Sequence, residues 1–185
     1  RDLHSFPTRR SSDLLVNVAE HYNTTFDTYQ DLSGLPAGVY ALRAKTAFRG
    51  SWNDYLKGTP ATARLYATVG DEDSEVPFNN IWSCLNTEPM AGATEFGTTA
   101  YENTTALNGV AYYSPNDPSA FRLYAERGFY DTTLFFEVTG DKARIGVKNP
   151  QKCGDGCDNW AIFDTFTLTY YVNEPGSYQK WFELL

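Results

Sequence analysis

Period-two alternation of apolar and polar side chains runs through most of the chain. From Val39 to Phe48 it places Tyr40, Leu42, Ala44, Thr46 and Phe48 on one face, with Arg43 and Lys45 on the other. Such a repeat predicts a half-buried strand. Gly34-Leu35-Pro36-Ala37-Gly38 supplies the turn that leads into it. Ala63–Val69 sets Ala63, Leu65, Ala67 and Val69 against Arg64, Tyr66 and Thr68. Thr133–Val138 and Ala143–Val147 flank Thr139-Gly140-Asp141-Lys142, which predicts a hairpin. Trp160–Tyr171, rich in aromatics and threonine, predicts a long last strand, and Thr25–Leu32 an early one.

One helix has a physical case near 118–127. Asp117 can cap its N-terminus, Pro118 suits the first helical position, and Gly128 can close the C-terminus after Arg127. A second helix is expected from Ser177 through Trp181 to Leu185, after the linker Asn173-Glu174-Pro175-Gly176. Residues 71–116, polar and rich in Gly and Thr, read as long loops with short strands; Asp71-Glu72-Asp73-Ser74-Glu75 reads as a solvated turn. Many short strands with one short helix predict an all-β, antiparallel β-sandwich or barrel.

Composition narrows the function. The 185 residues carry 23 acidic and 15 basic side chains, a net charge of -8, with no Lys/Arg stripe to meet phosphates. That argues against a nucleic-acid partner. No apolar run reaches the roughly 18 residues of a membrane span. Residues Ser5 to Leu14, SFPTRRSSDL, resemble the translation of a sequencing-library adapter, so 1–14 is expected to be non-native. The β-sandwich domain is then expected at 15–172, with 173–185 a linker and the start of a following segment. Arg1, Arg9 and Arg10 against Asp2 and Asp13 leave the first fourteen residues at +1, so the remainder carries -9. His4 falls in that segment and His21 remains, which leaves little room for a His-based dyad.

Two segments carry a resemblance. Tyr22–Arg49 reads YNTTFDTYQDLSGLPAGVYALRAKTAFR, and Ile145–Tyr171 reads IGVKNPQKCGDGCDNWAIFDTFTLTYY. With the looser Ser119–Tyr130, SAFRLYAERGFY, they resemble the galactose-binding-like jelly-roll domains of large secreted proteins of Bacteroidota. The resemblance covers most of residues 20–171. It implies a jelly-roll sandwich in an extracellular or cell-surface module, other domains of the same polypeptide as neighbours, and sugar binding through loops at one end. The sequence departs from the pattern at Asp141-Lys142-Ala143 and in a cysteine-bearing insertion at Lys152–Asp158.

Loops Gly50–Pro60 and Asn149–Asn159 hold the chemistry that sugar recognition needs, aromatic faces for C–H surfaces beside amides and carboxylates for hydroxyls. The candidate binding residues are Trp52, Asn53, Asp54, Tyr55, Asn149, Asp155, Asp158 and Asn159, with Trp82 outside these loops. For Trp52, Tyr55 and Trp82 the competing role is anchoring a loop; Trp160 follows the family pattern of a core residue. Asp164 shares the face of Ile162, Phe166, Leu168 and Tyr170 under strict alternation, which aims a carboxylate into the core. It is then a structural carboxylate tied by hydrogen bonds, a ligand of a structural Ca²⁺, which related jelly rolls often hold, or a catalytic acid. No other cofactor is expected.

Of Cys84, Cys153 and Cys157, the last two can close a small ring through Gly154-Asp155-Gly156, and a disulfide between them is expected. Three scattered cysteines lack zinc-ligand spacing. Asn23-Thr24-Thr25 and Asn103-Thr104-Thr105 fit the glycosylation sequon, silent in a bacterial protein. With no nucleophile elbow or phosphate loop in the sequence, the expected function is a non-catalytic carbohydrate-binding or accessory module with a glycan partner. A structural spacer or protein-interaction sandwich without ligand is the alternative, and a glycoside hydrolase, needing only two facing carboxylates, the third.

Overall fold

The computed structural model describes residues 18–84, 96–98, 113–154 and 159–172. In chain order the strands are Ala19–Tyr22 (β1), Phe26–Ser33 (β2), Gly38–Arg49 (β3), Arg64–Val69 (β4), Glu72–Pro77 (β5) and Asn79–Asn80 (β6). Phe96–Thr98 (β7), Tyr113–Pro115 (β8), Asp131–Val138 (β9), Lys142–Asn149 (β10) and Trp160–Val172 (β11) follow. Trp52–Leu56 (α1) and Pro118–Glu126 (α2) are helical, and Ile81–Cys84 is a 3-10 turn.

Two sheets build an all-β, antiparallel sandwich. One runs β1-β11-β3, with β9 antiparallel and the short β6 parallel on the far side of β3. The other runs β2-β10-β4-β5, and β7 and β8 form a separate pair. The main core lies between the sheets. Tyr40, Leu42, Phe136, Val138 and Phe163 come from the five-stranded sheet, and Leu65, Ala67, Ile145 and Val147 from the four-stranded one. Polar groups within it find partners: Tyr40 Oη donates to the Pro36 carbonyl at 2.7 Å, and the Thr46 and Thr132 hydroxyls lie 2.7 Å apart. The buried Thr62 Oγ1 and Asn149 Oδ1 at its margin have none among the described residues.

A second core covers the outer face of the five-stranded sheet. Ala47, Trp160 and Ile162 form its floor, and Trp52, Trp82, Phe121 and Tyr124 close over them. The helix expected near 118–127 is the lid of this core. Asp117 caps it, accepting from Ala120 N at 2.8 Å, and Gly128, at φ +89°, follows its C-terminus.

Four expectations are corrected. β9 and β10 are not a hairpin: β9 pairs with β3, β10 with β2 and β4, and residues 139–141 cross from one sheet to the other. Each strand has one buried face, and both faces are claimed by the same core from opposite sides. The acidic run is not wholly a turn either. Gly70, at φ +62°, and Asp71 turn a tight hairpin, and Glu72 onward is edge strand β5, with Val76 packed on the core. Charged residues suit an exposed edge because they discourage further strand pairing. Within the expected loop 50–60, Trp52–Leu56 is helical, capped by Ser51, whose Oγ accepts from Asp54 N at 3.0 Å.

The fourth correction concerns β11. Its register with β3 jumps from Asp164 opposite Lys45 to Thr167 opposite Arg43, so Thr165 and Phe166 together face Ala44. Thr165 adopts φ +55°, uncommon for a β-branched residue. This bulge inverts the strand's phase. Trp160 and Ile162 belong to the second core, whereas Phe166, Leu168 and Tyr170 pack on the main one. Asp164 therefore stays with Ile162, away from the sandwich interior.

Candidate functional site

The two loops singled out from the sequence meet at one end of the sandwich. Arg49 at the end of β3 pairs with Trp160 at the start of β11. Asn23 N donates to the Asn159 carbonyl at 2.6 Å, and Asn149 Nδ2 to the Thr24 carbonyl at 2.9 Å. Their aromatic rings, however, point inward. Trp52 and Trp82 are 8% and 3% exposed and meet edge to face, with centroids 5.8 Å apart. Trp82 Nε1 donates to the Gly50 carbonyl at 3.2 Å. The half-buried Tyr55 leans on Trp52 at 5.3 Å. These rings anchor the loop and α1 to the second core and offer little face to a sugar.

Of the remaining candidates, Asn53 and Asp54 are exposed, Asn159 is half-buried and Asn149 is buried. Asp155, Asp158 and Cys157 lie outside the described residues, as do the second helix and Trp181. Cys153 is a half-buried thiol whose Sγ is 3.1 Å from Asn23 Oδ1.

Asp164 is half-buried beside its bulge, and its Oδ1 accepts from Thr165 N at 2.7 Å. Among the described residues no three His, Cys, Asp or Glu side chains gather as a group that could hold a metal ion. Burial holds its carboxyl above the ordinary carboxylate pKa, against hydrogen bonds from Thr165 and the charge of Arg122. A carboxylate that is harder to ionise folded than unfolded costs stability at neutral pH. That cost fades as pH falls through its raised folded pKa and is gone below its unfolded one. Asp164→Asn is therefore expected to raise the melting temperature at pH 7. The gain should shrink on acidification and vanish below about pH 4; a gain independent of pH would remove Asp164 ionisation as its cause.

An exposed tyrosine set among charged side chains lies elsewhere, on the outer face of the four-stranded sheet. Three cross-strand rows build it: Asp31–Arg144–Thr68–Asp73, Tyr29–Gly146–Tyr66–Glu75 and Asp27–Lys148–Arg64–Pro77. Gly146 separates two tyrosines at a point where β2 approaches too closely for any side chain. A Cβ placed on it would overlap the Thr28 carbonyl and lie 2.9 Å from Tyr29 Cα. Tyr29, 48% exposed, carries the Arg144 guanidinium 3.8 Å from its ring centroid.

Ion pairs fix the geometry of this face. Arg144 Nε and Nη2 donate to the two Asp31 carboxylate oxygens at 2.8 and 3.1 Å. The Arg144 hydrogen bond holds the Asp31 carboxyl below its usual pKa. Lys148 bonds Asp73 and Glu75, each at 3.1 Å, and lies 4.7 Å from the Tyr66 ring centroid. Burial works against the Lys148 charge, but hydrogen bonds to those two carboxylates outweigh it and raise its pKa. Tyr66, buried, donates to Asp27 Oδ1 at 2.7 Å; burial, then that bond, pushes its hydroxyl pKa well up. Exposed ion pairs contribute little to stability, so the value of this lattice is in holding side chains still.

No protein-family model, curated protein or solved structure matches the chain. Asp27, Tyr29, Asp31, Tyr66, Arg144 and Lys148 were not among the residues singled out from the sequence. The signal was present: each falls on the polar side of an alternating strand. Alternation says which side chains share a strand face, but not that three strands lie side by side.

Proposed function

We propose that this chain is a non-catalytic carbohydrate-binding or accessory module of a secreted or cell-surface bacterial protein, of the galactose-binding-like jelly-roll type. The observation that carries this reading is Tyr29, half-exposed on the outer face of the four-stranded sheet among fixed charged side chains. An aromatic body beside carboxylate and guanidinium groups is the combination that sugar C–H surfaces and hydroxyls require. The reading moves the ligand from the loop end to the sheet face, because the loop-end indoles of Trp52 and Trp82 are spent on packing. Asp164 lies in the other sheet and is tied to its own bulge by the bond from Thr165 N, which supports a role in structure.

A polysaccharide and glycan-array screen of the full chain tests the proposal. Binding to at least one glycan is expected, and Tyr29→Ala should weaken it about tenfold, the loss of roughly 1.4 kcal/mol, while leaving the melting temperature nearly unchanged. Absence of binding to every glycan would sink the reading. In its place would stand the second one, a structural spacer or protein-interaction sandwich, which the burial of the three described indoles favours.

A further inference from the structure

We infer that the hollow lined by Asp31 and Arg144 is the sugar subsite, and that its ligand is a neutral glycan presenting a vicinal diol to that ion pair. The inference rests on the glycan-binding reading above and adds the place and the ligand chemistry. The hollow measures about 370 Å³, within the size of small-molecule sites, about 300–1,000 Å³. Asp31, Thr68, Gly70, Lys142 and Arg144 line it together with the apolar Leu32 and Ala143. It lies toward the Lys142 end of β10, and Trp52 and Trp82 stand at the Asn149 end.

The donor and acceptor arithmetic favours a diol. Arg144 gives two of its five N–H groups to Asp31 and keeps three; each Asp31 oxygen takes one N–H and keeps acceptor capacity. The pair thus presents donors and acceptors side by side. Two adjacent hydroxyls, each both donor and acceptor, match it. Tyr29 holds the guanidinium from one side at 3.8 Å, so the fork is ordered before any ligand arrives. Lys142, exposed and without an ion pair among the described residues, supplies a further donor at the rim.

Charge decides between neutral and acidic sugars. Asp31 already balances Arg144, and Asp73 stands at the end of the same row, opposite Thr68. Exposed Asp71, Glu72 and Asp141 are close in sequence to Gly70 and Lys142, and the whole chain carries -8. A polyuronate would approach against that field.

Four soluble polymers separate the outcomes by affinity electrophoresis and calorimetry. A 1,4-linked xylan and a galactomannan offer free 2,3-diols; a 1,3-linked glucan has none within its chain; polygalacturonate adds a carboxylate to each ring. Binding to one or both of the first two, at least tenfold weaker to the others, is the expected result. Asp31→Asn and Arg144→Gln should each reduce it at least tenfold. Lys142→Ala, at the rim, should reduce it less, and Asn53→Ala, at the opposite end, should leave it unchanged. Periodate cleavage of the diols should abolish binding of the same polymer.

Equal binding of the 1,3-glucan, or survival after periodate, would overturn the diol. Preference for polygalacturonate would overturn the neutral ligand. Unaltered binding by the Asp31, Arg144 and Lys142 variants, with normal melting temperatures, would overturn the subsite while the glycan reading stands. Failure of the unmodified chain to bind any glycan, in these four polymers and in the wider screen, would overturn both.

Discussion

Replacing Trp160 with alanine is expected to cost about 3–5 kcal/mol of stability and lower the melting temperature by roughly 10 °C or more. The ring is 3% exposed in the second core. Its Nε1 donates to Glu20 Oε2 at 2.8 Å, and the Arg49 guanidinium lies 5.2 Å from its centroid. Alanine would leave a cavity beneath the helical lid, and would also strip Glu20 of a donor and Arg49 of an aromatic surface. Denaturant unfolding measures the loss directly. A change below about 1 kcal/mol, the scale of ordinary surface substitutions, would mean that the second core is not cohesive. Because Trp160 supports the five-stranded sheet, glycan binding measured well below the melting point should persist in this variant.

Gly146→Ala is expected to damage both properties at once. The new methyl would overlap the Thr28 carbonyl and come within 2.9 Å of Tyr29 Cα and Cβ, so β2 must move away from β10. Overpacking of this kind costs about 1–3 kcal/mol. The displacement carries Tyr29 and Asp31 with it, since both belong to β2. Thermal unfolding and polysaccharide affinity should therefore fall together, whereas Tyr29→Ala should lower affinity alone. An alanine variant with unchanged stability would show that β2 yields at no cost and that Gly146 does not set the sheet spacing.

The strands themselves were legible, because burying one face of a sheet writes period two into the sequence. Val39–Phe48 and Trp160–Tyr171 fall within two residues of the observed β3 and β11. The helix at 118–126 was legible for a different reason: its cap, its first-turn proline and its closing glycine are local signals. Partner choice was not legible. The link at 139–141 has the composition of a hairpin turn, and only the shared core makes β9 and β10 diverge to opposite sheets. Asp164 shows the same limit at one residue. Strict alternation aimed it inward, and an extra residue at Thr165 turned the strand's phase after it. The short helix α1 did carry a sign, Ser51 three residues before Asp54, but five residues around a tryptophan also read as a loop.

The candidate site divides along the same line. Trp52 and Trp82 have the right chemistry for sugar stacking, and composition alone cannot say which way a ring faces. Tyr29, Asp31 and Arg144 come together only when β2 and β10, more than a hundred residues apart in sequence, lie side by side.

The place of β11 bears on how the molecule comes to be folded during synthesis. This strand lies between β1 and β3, and its two faces feed both cores, Ala161 and Phe163 the main one and Trp160 and Ile162 the second. Until Trp160–Val172 leaves the ribosome, β1 has no partner in the sheet and neither core is complete. Local pieces such as the β4–β5 hairpin can form early, but the sandwich must await closure over long stretches of chain, a slow step that leaves apolar edges open meanwhile.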